Sequence, residues 1–369
     1  METDNPRRIA HVVESFTGGL FTFLQALTTA LDDCSHVILH GTRDDTPGNP
    51  ARFFQNNVRL YEWKSARRSI GPNDVRAFTE LYTFLKKSLA WSDSPVIHLH
   101  SSKAGFLGRI ACRVLGIHSQ AIYTSHGAAF LRKDVGPGTR SLFTYLEKAA
   151  ALAGGMVIAC SESEAQVFRK NRIPADAIAN GTLAPPLAEP LTESKDFTVC
   201  CAGRITAQKG PGDFNRIAQM LADSPGIRFV WIGDGEQKPV LNSPNIEVTG
   251  RISHEQAIRR MASADIFLST SLWEGLSISV LEAMSLSKPL LLSNCVGNRD
   301  LVKKAENGYV FSTCEKAANR LKRLSIDRNA CRGMGRASRE RWRKYHTAAH
   351  MARKYHALYR TIAEMAYKI

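Results

Sequence analysis

Apolar residues recur along the chain in two rhythms. Short runs at Arg8–Glu14, His36–His40, Val96–His100, Ala121–Ser125 and Met156–Ser161 have the length and composition of buried strands. Between them, Asn73–Ala90, Lys103–Leu115 and Thr139–Ala153 repeat their apolar positions at helical spacing. The segment Pro174–Asp196 carries four prolines and no period, as a linker does. Beyond it the alternation resumes, with strands predicted at Thr198–Ala202, Arg228–Ile232, Ile246–Thr249, Asp265–Ser269, Pro289–Ser293 and Tyr309–Phe311. Pro211 suits a first helical position, and Ser253 with Gln256 forms a capping-box pattern. Strands alternating with helices predict an α/β protein of two doubly wound domains facing each other, with ligands beyond the C-terminal strand ends in the cleft between them.

Composition narrows the class. The 369 residues are 44% hydrophobic and 22% charged, enough for two ordinary cores and unlike a disordered or collagen-like chain. Eight cysteines without a C-x-x-C pair read as reduced thiols packed as small hydrophobes, Cys200 and Cys201 in the core strand among them. The longest stretch free of both charge and strong polarity, Ala149–Cys160, is 12 residues, too short to span a bilayer. The N-terminal residues lack a signal-peptide pattern, so a cytoplasmic location is expected. Of the net charge of +15, residues 316–369 hold +12, and Arg336, Arg339, Arg343 and Lys344 cannot all face a core. That basic segment suits an anionic membrane surface or a solvated helix face. The aromatic-and-basic clusters of an RNA reader are absent from residues 1–315, which speaks against nucleic acid as a partner.

The most informative stretch is Asp265–Asp300. A strand ends near Ser269, a loop carries Glu274 and Gly275, and a helix starting near Ser277 carries Glu282. The helix start directs the N–H groups of Gly275, Leu276, Ser277 and Ile278 toward any anion placed there, while the flanking carboxylates can accept from sugar hydroxyls. Arg204 and Lys209, in the GRITAQKG segment after another strand, add two cations.

These residues resemble the E-x7-E region of retaining glycosyltransferases of family 4, in WEGLSISVLEAMS. HLHSSKAG at 98–105, YTSHG at 123–127, ACSES at 159–163, CAGRITAQKG at 201–210 and NGYVF at 307–311 agree in order. The resemblance implies the GT-B fold: an acceptor-side Rossmann-like domain over 1–185, a nucleotide-sugar domain over 186–345, and a last helix over 346–369 crossing back. It implies a retaining transfer from a nucleotide-diphosphate sugar, UDP-linked more than GDP-linked, to a hydroxyl of an acceptor glycan, lipid-linked and belonging to a bacterial surface polysaccharide. The departing phosphate would help take the acceptor proton on the same face.

The same resemblance distributes roles. His126, Glu274, Arg204 and Lys209 would be catalytic, with Glu274 on donor-sugar hydroxyls and Glu282 on the ribose. Gly19, Gly203, Gly275, Leu276, Ser277 and Ile278 would approach the diphosphate, and the Gly250–Arg251–Ile252 turn the base. Gly18, Ser102 and Lys103 would lie on the acceptor side, with Gly18 and Gly19 present because a side chain would collide there. His98 and His100 would also face the acceptor; as a metal site they lack a third ligand at sensible spacing. No D-x-D motif occurs, so neither a metal nor another cofactor is expected, and peripheral attachment to the inner membrane face is. Two rivals are a non-hydrolysing sugar-nucleotide epimerase and a basic nucleic-acid binder.

Overall fold

The computed structural model describes residues 8–67, 71–91, 95–185 and 195–366; residues 186–194 of the proline-rich linker lie outside them. The chain forms two compact units. The first comprises residues 1–131, 135–181 and 348–369, the second residues 132–134 and 182–347.

In the first unit β1 (Arg8–Val13), β2 (Ser35–His40), β3 (Val58–Glu62), β4 (Val96–His100), β5 (Ala121–Thr124), β6 (Met156–Ala159) and β7 (Asp176–Ala177) form one parallel sheet. Its order is β3-β2-β1-β4-β5-β6-β7. The second unit repeats the plan with β8 (Phe197–Ala202), β9 (Ile227–Ile232), β10 (Ile246–Val248), β11 (Ile266–Ser269), β12 (Leu290–Ser293) and β13 (Gly308–Phe311), ordered β10-β9-β8-β11-β12-β13. Both are Rossmann-like sheets whose winding reverses beside the first strand, at β1/β4 and at β8/β11. The predicted strands are present. β3 escaped the pattern because Val58–Glu62 is an edge with no fully buried residue.

The two faces of the first sheet differ. Ala10, Val12, Val37, Leu39, Ile97 and Leu99 point into an apolar core. The alternate positions of the same strands are His11, His36, His98 and His100, each 0% exposed. The helices Gly18–Ala30 and Ala348–Ala366 pack together in this unit, and buried Tyr355 and Tyr359 of the last helix lie against His98. In the second unit Phe214 meets Phe229 and Trp231 edge-on within the core. All eight cysteines are buried and unbonded to one another. Among the described residues no helix is long and apolar enough to cross a membrane. Arg336, Arg339, Arg343 and Lys344 are exposed on the helix Arg328–Tyr345.

Candidate active site

The second unit gathers its charged side chains where its winding reverses. β8 runs into Gly203 and exposed Arg204, followed by the short turn Ala207–Lys209. β11 runs into the loop that carries Ser271 and Glu274. The two loops are zipped by backbone: Leu272 N donates to Gln208 O at 2.8 Å, and Thr270 Oγ1 to Lys209 O at 2.9 Å. This proximity requires glycine at 210, where φ is +63° and a Cβ would stand 2.2 Å from Thr270 O. At Gly203 a Cβ would come 3.1 Å from Lys209 Cε, so glycine leaves the lysine its path.

Lys209 Nζ donates to Glu274 Oε1 at 2.7 Å and reaches Ser277 Oγ at 3.4 Å. Glu274 is 6% exposed and also accepts from Ser271 Oγ at 2.7 Å and Gln208 Nε2 at 3.4 Å. Burial by itself lowers the Lys209 pKa, but the Glu274 carboxylate outweighs it and the net shift is upward, so the ammonium is secured. Ser277 precedes the helix Ile278–Ser285 as its N-cap and bonds Ser279 at 3.1 Å. Gly275, Leu276 and Ile278 complete this loop and helix start beside the lysine.

Glu282, one turn along, has a partner of its own: His254 Nε2 donates to its Oε1 at 2.7 Å. That hydrogen bond raises the His254 pKa. His254 opens the helix His254–Ala262, whose expected capping box is present in both directions, with Gln256 N to Ser253 Oγ at 3.2 Å and Ser253 N to Gln256 Oε1 at 3.0 Å. The Gly250–Arg251–Ile252 turn follows β10, and Thr249 ties it to the loop after β9 by accepting from Gly233 N at 3.1 Å.

In the first unit several expectations change. Gly18 and Gly19 open the helix Gly18–Ala30 and do not form a loop. A Cβ on Gly18 would meet nothing within 4 Å; its φ of +51°, and not a collision, calls for glycine. Ser102 opens the helix after β4 and hydrogen-bonds the Tyr123 phenol. Lys103 Nζ is bound to Asp74 Oδ1 at 2.7 Å with little exposure on either side, a tie between two helices and not an open acceptor contact. His98 and His100 do not face an acceptor, because the last helix closes over them. The missing third histidine is present as His11, and side-chain nitrogens of His11, His98 and His100 lie within 4.8 Å of one another.

His126 follows β5 with φ of +53°, in the left-handed region unusual for a side-chain-bearing residue. Its ring faces inward: Nε2 is 3.0 Å from His100 Nδ1, and Nδ1 is 3.5 Å from Cys160 Sγ. Burial lowers its pKa to about 3, so the ring is neutral. The turn is clamped by Glu164, 0% exposed, which sequence reasoning missed. Its Oε1 accepts from Ser125 Oγ, Gly127 N and Ala128 N at 2.8, 3.0 and 2.9 Å, and its Oε2 from Cys160 N at 2.9 Å. Ser161-x-x-Glu164 is a capping pattern that would have located the helix start, since Ser161 Oγ does accept from Glu164 N at 3.2 Å. Nothing local reveals that the carboxylate turns away to hold a loop 36 to 39 residues earlier.

Two Rossmann-like parallel-sheet units, one with a lysine–glutamate pair at its reversal point, define the class as a two-unit α/β protein with a charged site at a strand-order reversal. Residues 18–181 match the family "Glycosyl transferase 4-like domain", and residues 187–341 match "Glycosyl transferases group 1". The chain belongs to the family 4 glycosyltransferases of the GT-B fold. It is 27% identical over 307 residues to the Escherichia coli UDP-Gal:alpha-D-GlcNAc-diphosphoundecaprenol alpha-1,3-galactosyltransferase, covering 75% of this chain and 77% of that protein. Its fold is similar to that of the sucrose-phosphate synthase from Thermosynechococcus elongatus, with a TM-score of 0.77 at 18% identity, over 96% of this chain and 99% of the other. It is also similar to Anabaena HepE, solved with UDP and glucose, with a TM-score of 0.75 at 16% identity, over 96% and 100%.

Proposed function

We propose that this glycosyltransferase moves a sugar from a nucleotide-diphosphate donor, UDP-linked in preference to GDP-linked, to a hydroxyl of a lipid-linked glycan in bacterial surface polysaccharide assembly, with retention and without a metal. The observation that carries the reading is the Lys209–Glu274 pair on loops zipped together at the β8/β11 reversal. An ammonium has three donors. Lys209 directs them to Glu274 and Ser277 and has capacity for a phosphate oxygen, with exposed Arg204 on the same loop. As the glycosidic bond breaks, negative charge grows on the diphosphate, and cations held in place beforehand stabilise that charge without reorganising. Glu274 keeps Lys209 charged, and its carboxylate suits a sugar hydroxyl; Glu282 suits the ribose. On the same face, the acceptor oxygen bonds the anomeric carbon while the leaving phosphate oxygen takes the acceptor proton. By the resemblance, His126 meets a donor-sugar hydroxyl. The named activity of the E. coli relative, with a UDP-linked sugar and a diphosphoundecaprenol acceptor, supports both substrate classes. The exposed cations of the C-terminal segment suit the inner membrane face, at roughly 1 kcal/mol per well-placed charge.

The test is transfer from UDP- and GDP-sugars to a diphosphoundecaprenol-linked sugar, with EDTA present and the product anomer read by NMR. Lys209→Ala or Glu274→Ala should lower kcat by about 100- to 1000-fold, the scale of losing one transition-state donor. Near-normal turnover by either variant removes the assignment. Sugar-nucleotide conversion without any acceptor favours the epimerase.

A further inference from the structure

The first unit contains a continuous line of imidazoles, of which only His126 enters the proposed transfer chemistry. His126 Nε2 lies 3.0 Å from His100 Nδ1, His100 Nε2 is 3.1 Å from His11 Nδ1, and His11 Nε2 is 3.1 Å from His36 Nδ1. The line ends where His36 Nε2 meets the backbone carbonyl of Leu31 at 3.1 Å. A carbonyl only accepts, so His36 must donate from Nε2 and, being neutral, must accept at Nδ1. His11 then donates from Nε2, which leaves its Nδ1 to accept from His100, and the same logic passes to His126. At the far end the Cys160 thiol, kept protonated by burial, can donate to His126 Nδ1 across 3.5 Å. One carbonyl thus fixes four tautomers, each hydrogen bond polarising the next.

We propose that His100, His11 and His36 are positioning residues that hold His126 as a neutral acceptor, its proton on Nε2 and its only ring lone pair on Nδ1. That lone pair, occupied by a weak thiol donor, is what a donor-sugar hydroxyl can take over; this last point rests on the role given to His126 above. The groups packed around His126 are compatible with neutrality: His100 from β4, Cys160 after β6, and the Phe23 ring at 4.7 Å from the first helix. Burial lowers the pKa of His11, His36 and His100 as well. The same cluster brings His11, His98 and His100 to the mutual spacing of a metal site. His98, however, turns its nitrogens to Tyr359 OH at 2.7 Å and Thr124 Oγ1 at 2.9 Å, so every ring is satisfied by protons alone.

Nitrogen-15 NMR of the full chain labelled at histidine, without substrate at pH 7, reads each tautomer directly. The expected spectrum shows His126, His100, His11 and His36 all neutral and protonated at Nε2. His11→Phe should turn His126 into a tautomer mixture, whereas His11→Gln, whose amide can accept from His100 and donate to His36, should restore a single form. If His11→Phe does not fold, the wild-type spectrum alone decides: a proton on Nδ1 of His126, or a charged His126, overturns the proposal. So does a stoichiometric zinc titration that shifts His11, His98 and His100 together. A His126→Ala enzyme that transfers sugar at the full rate, beside an intact tautomer pattern, removes the sugar contact and leaves the positioning chain supported.

Discussion

Both units wind their strands in the same order, and both place polar side chains at the reversal, but the electrostatics differ in kind. In the second unit the groups sit on loops after the strands and are charged, and the burial of Lys209 is offset by Glu274. In the first they sit on the strands themselves and are neutral imidazoles bonded to one another. A charged pair binds and stabilises changing charge. A neutral chain fixes geometry at lower desolvation cost, provided that no proton is added. Topology therefore marks where a ligand can sit, and the residues placed there decide whether that position attracts charge or holds a shape.

Acid should separate the two units most sharply. His11, His36, His98 and His100 have folded pKa values lowered by burial, to about 4 for His36, while unfolded histidine titrates near 6.5. Below pH 6.5 the unfolded chain binds protons that the folded unit refuses, so stability falls as pH falls. The loss approaches roughly 1.4 kcal/mol per histidine per pH unit until each folded value is reached, so four histidines amount to several kcal/mol by about pH 5.5. Hydrogen exchange corrected for intrinsic rates should show strands β1, β2 and β4 losing protection between pH 7 and 5.5 while β8 and β11 keep theirs. Equal loss in both units would erase the contrast.

A smaller effect tests the Glu164 clamp on the turn that carries His126. Glu164→Gln keeps the shape but places an amide N–H₂ where a carboxylate oxygen accepted, either against Cys160 N–H or against the Gly127 and Ala128 N–H groups. Leaving buried donors unmatched costs about 1–3 kcal/mol. Denaturant unfolding should register that loss, and donor turnover should fall with it because His126 is no longer held at its positive φ. A variant as stable and active as the parent would show that the turn holds itself.

How much of this the sequence disclosed depends on whether the signal is local. Strand runs, the capping box at Ser253 and the Lys209, Glu274 and Glu282 positions are short-range patterns, and the structure contains those elements and brings Lys209 onto Glu274. The alternation in SHVILH and VIHLH is equally visible, but nothing near it in the sequence says what its histidine face packs against. What buries that face is a helix more than 240 residues further on, with Tyr359 bonding His98 across a separation of 261. No local pattern encodes such a partner, so His98 and His100 look like binding residues, and His11 and His36 draw no notice. Glu164 was hidden for the same reason.

The smallest expected effect runs in the opposite direction to the acid response. His254 has a raised folded pKa, first through its hydrogen bond to Glu282. Its stabilising contribution is therefore complete below the ordinary value of 6.5 and is lost as pH rises through the raised one. With 63% of the His254 side chain exposed, solvent screening limits the pair to a few tenths of a kcal/mol. Comparing thermal unfolding of the wild type and His254→Gln should show a slight wild-type advantage at pH 6 that vanishes by pH 9. The acid loss in the first unit, by contrast, deepens toward low pH, so two sets of histidines in one chain give stability slopes of opposite sign. If the wild-type advantage persists unchanged at pH 9, protonation of His254 contributes nothing, and Glu282 is held by the helix that carries it and not by an ion pair.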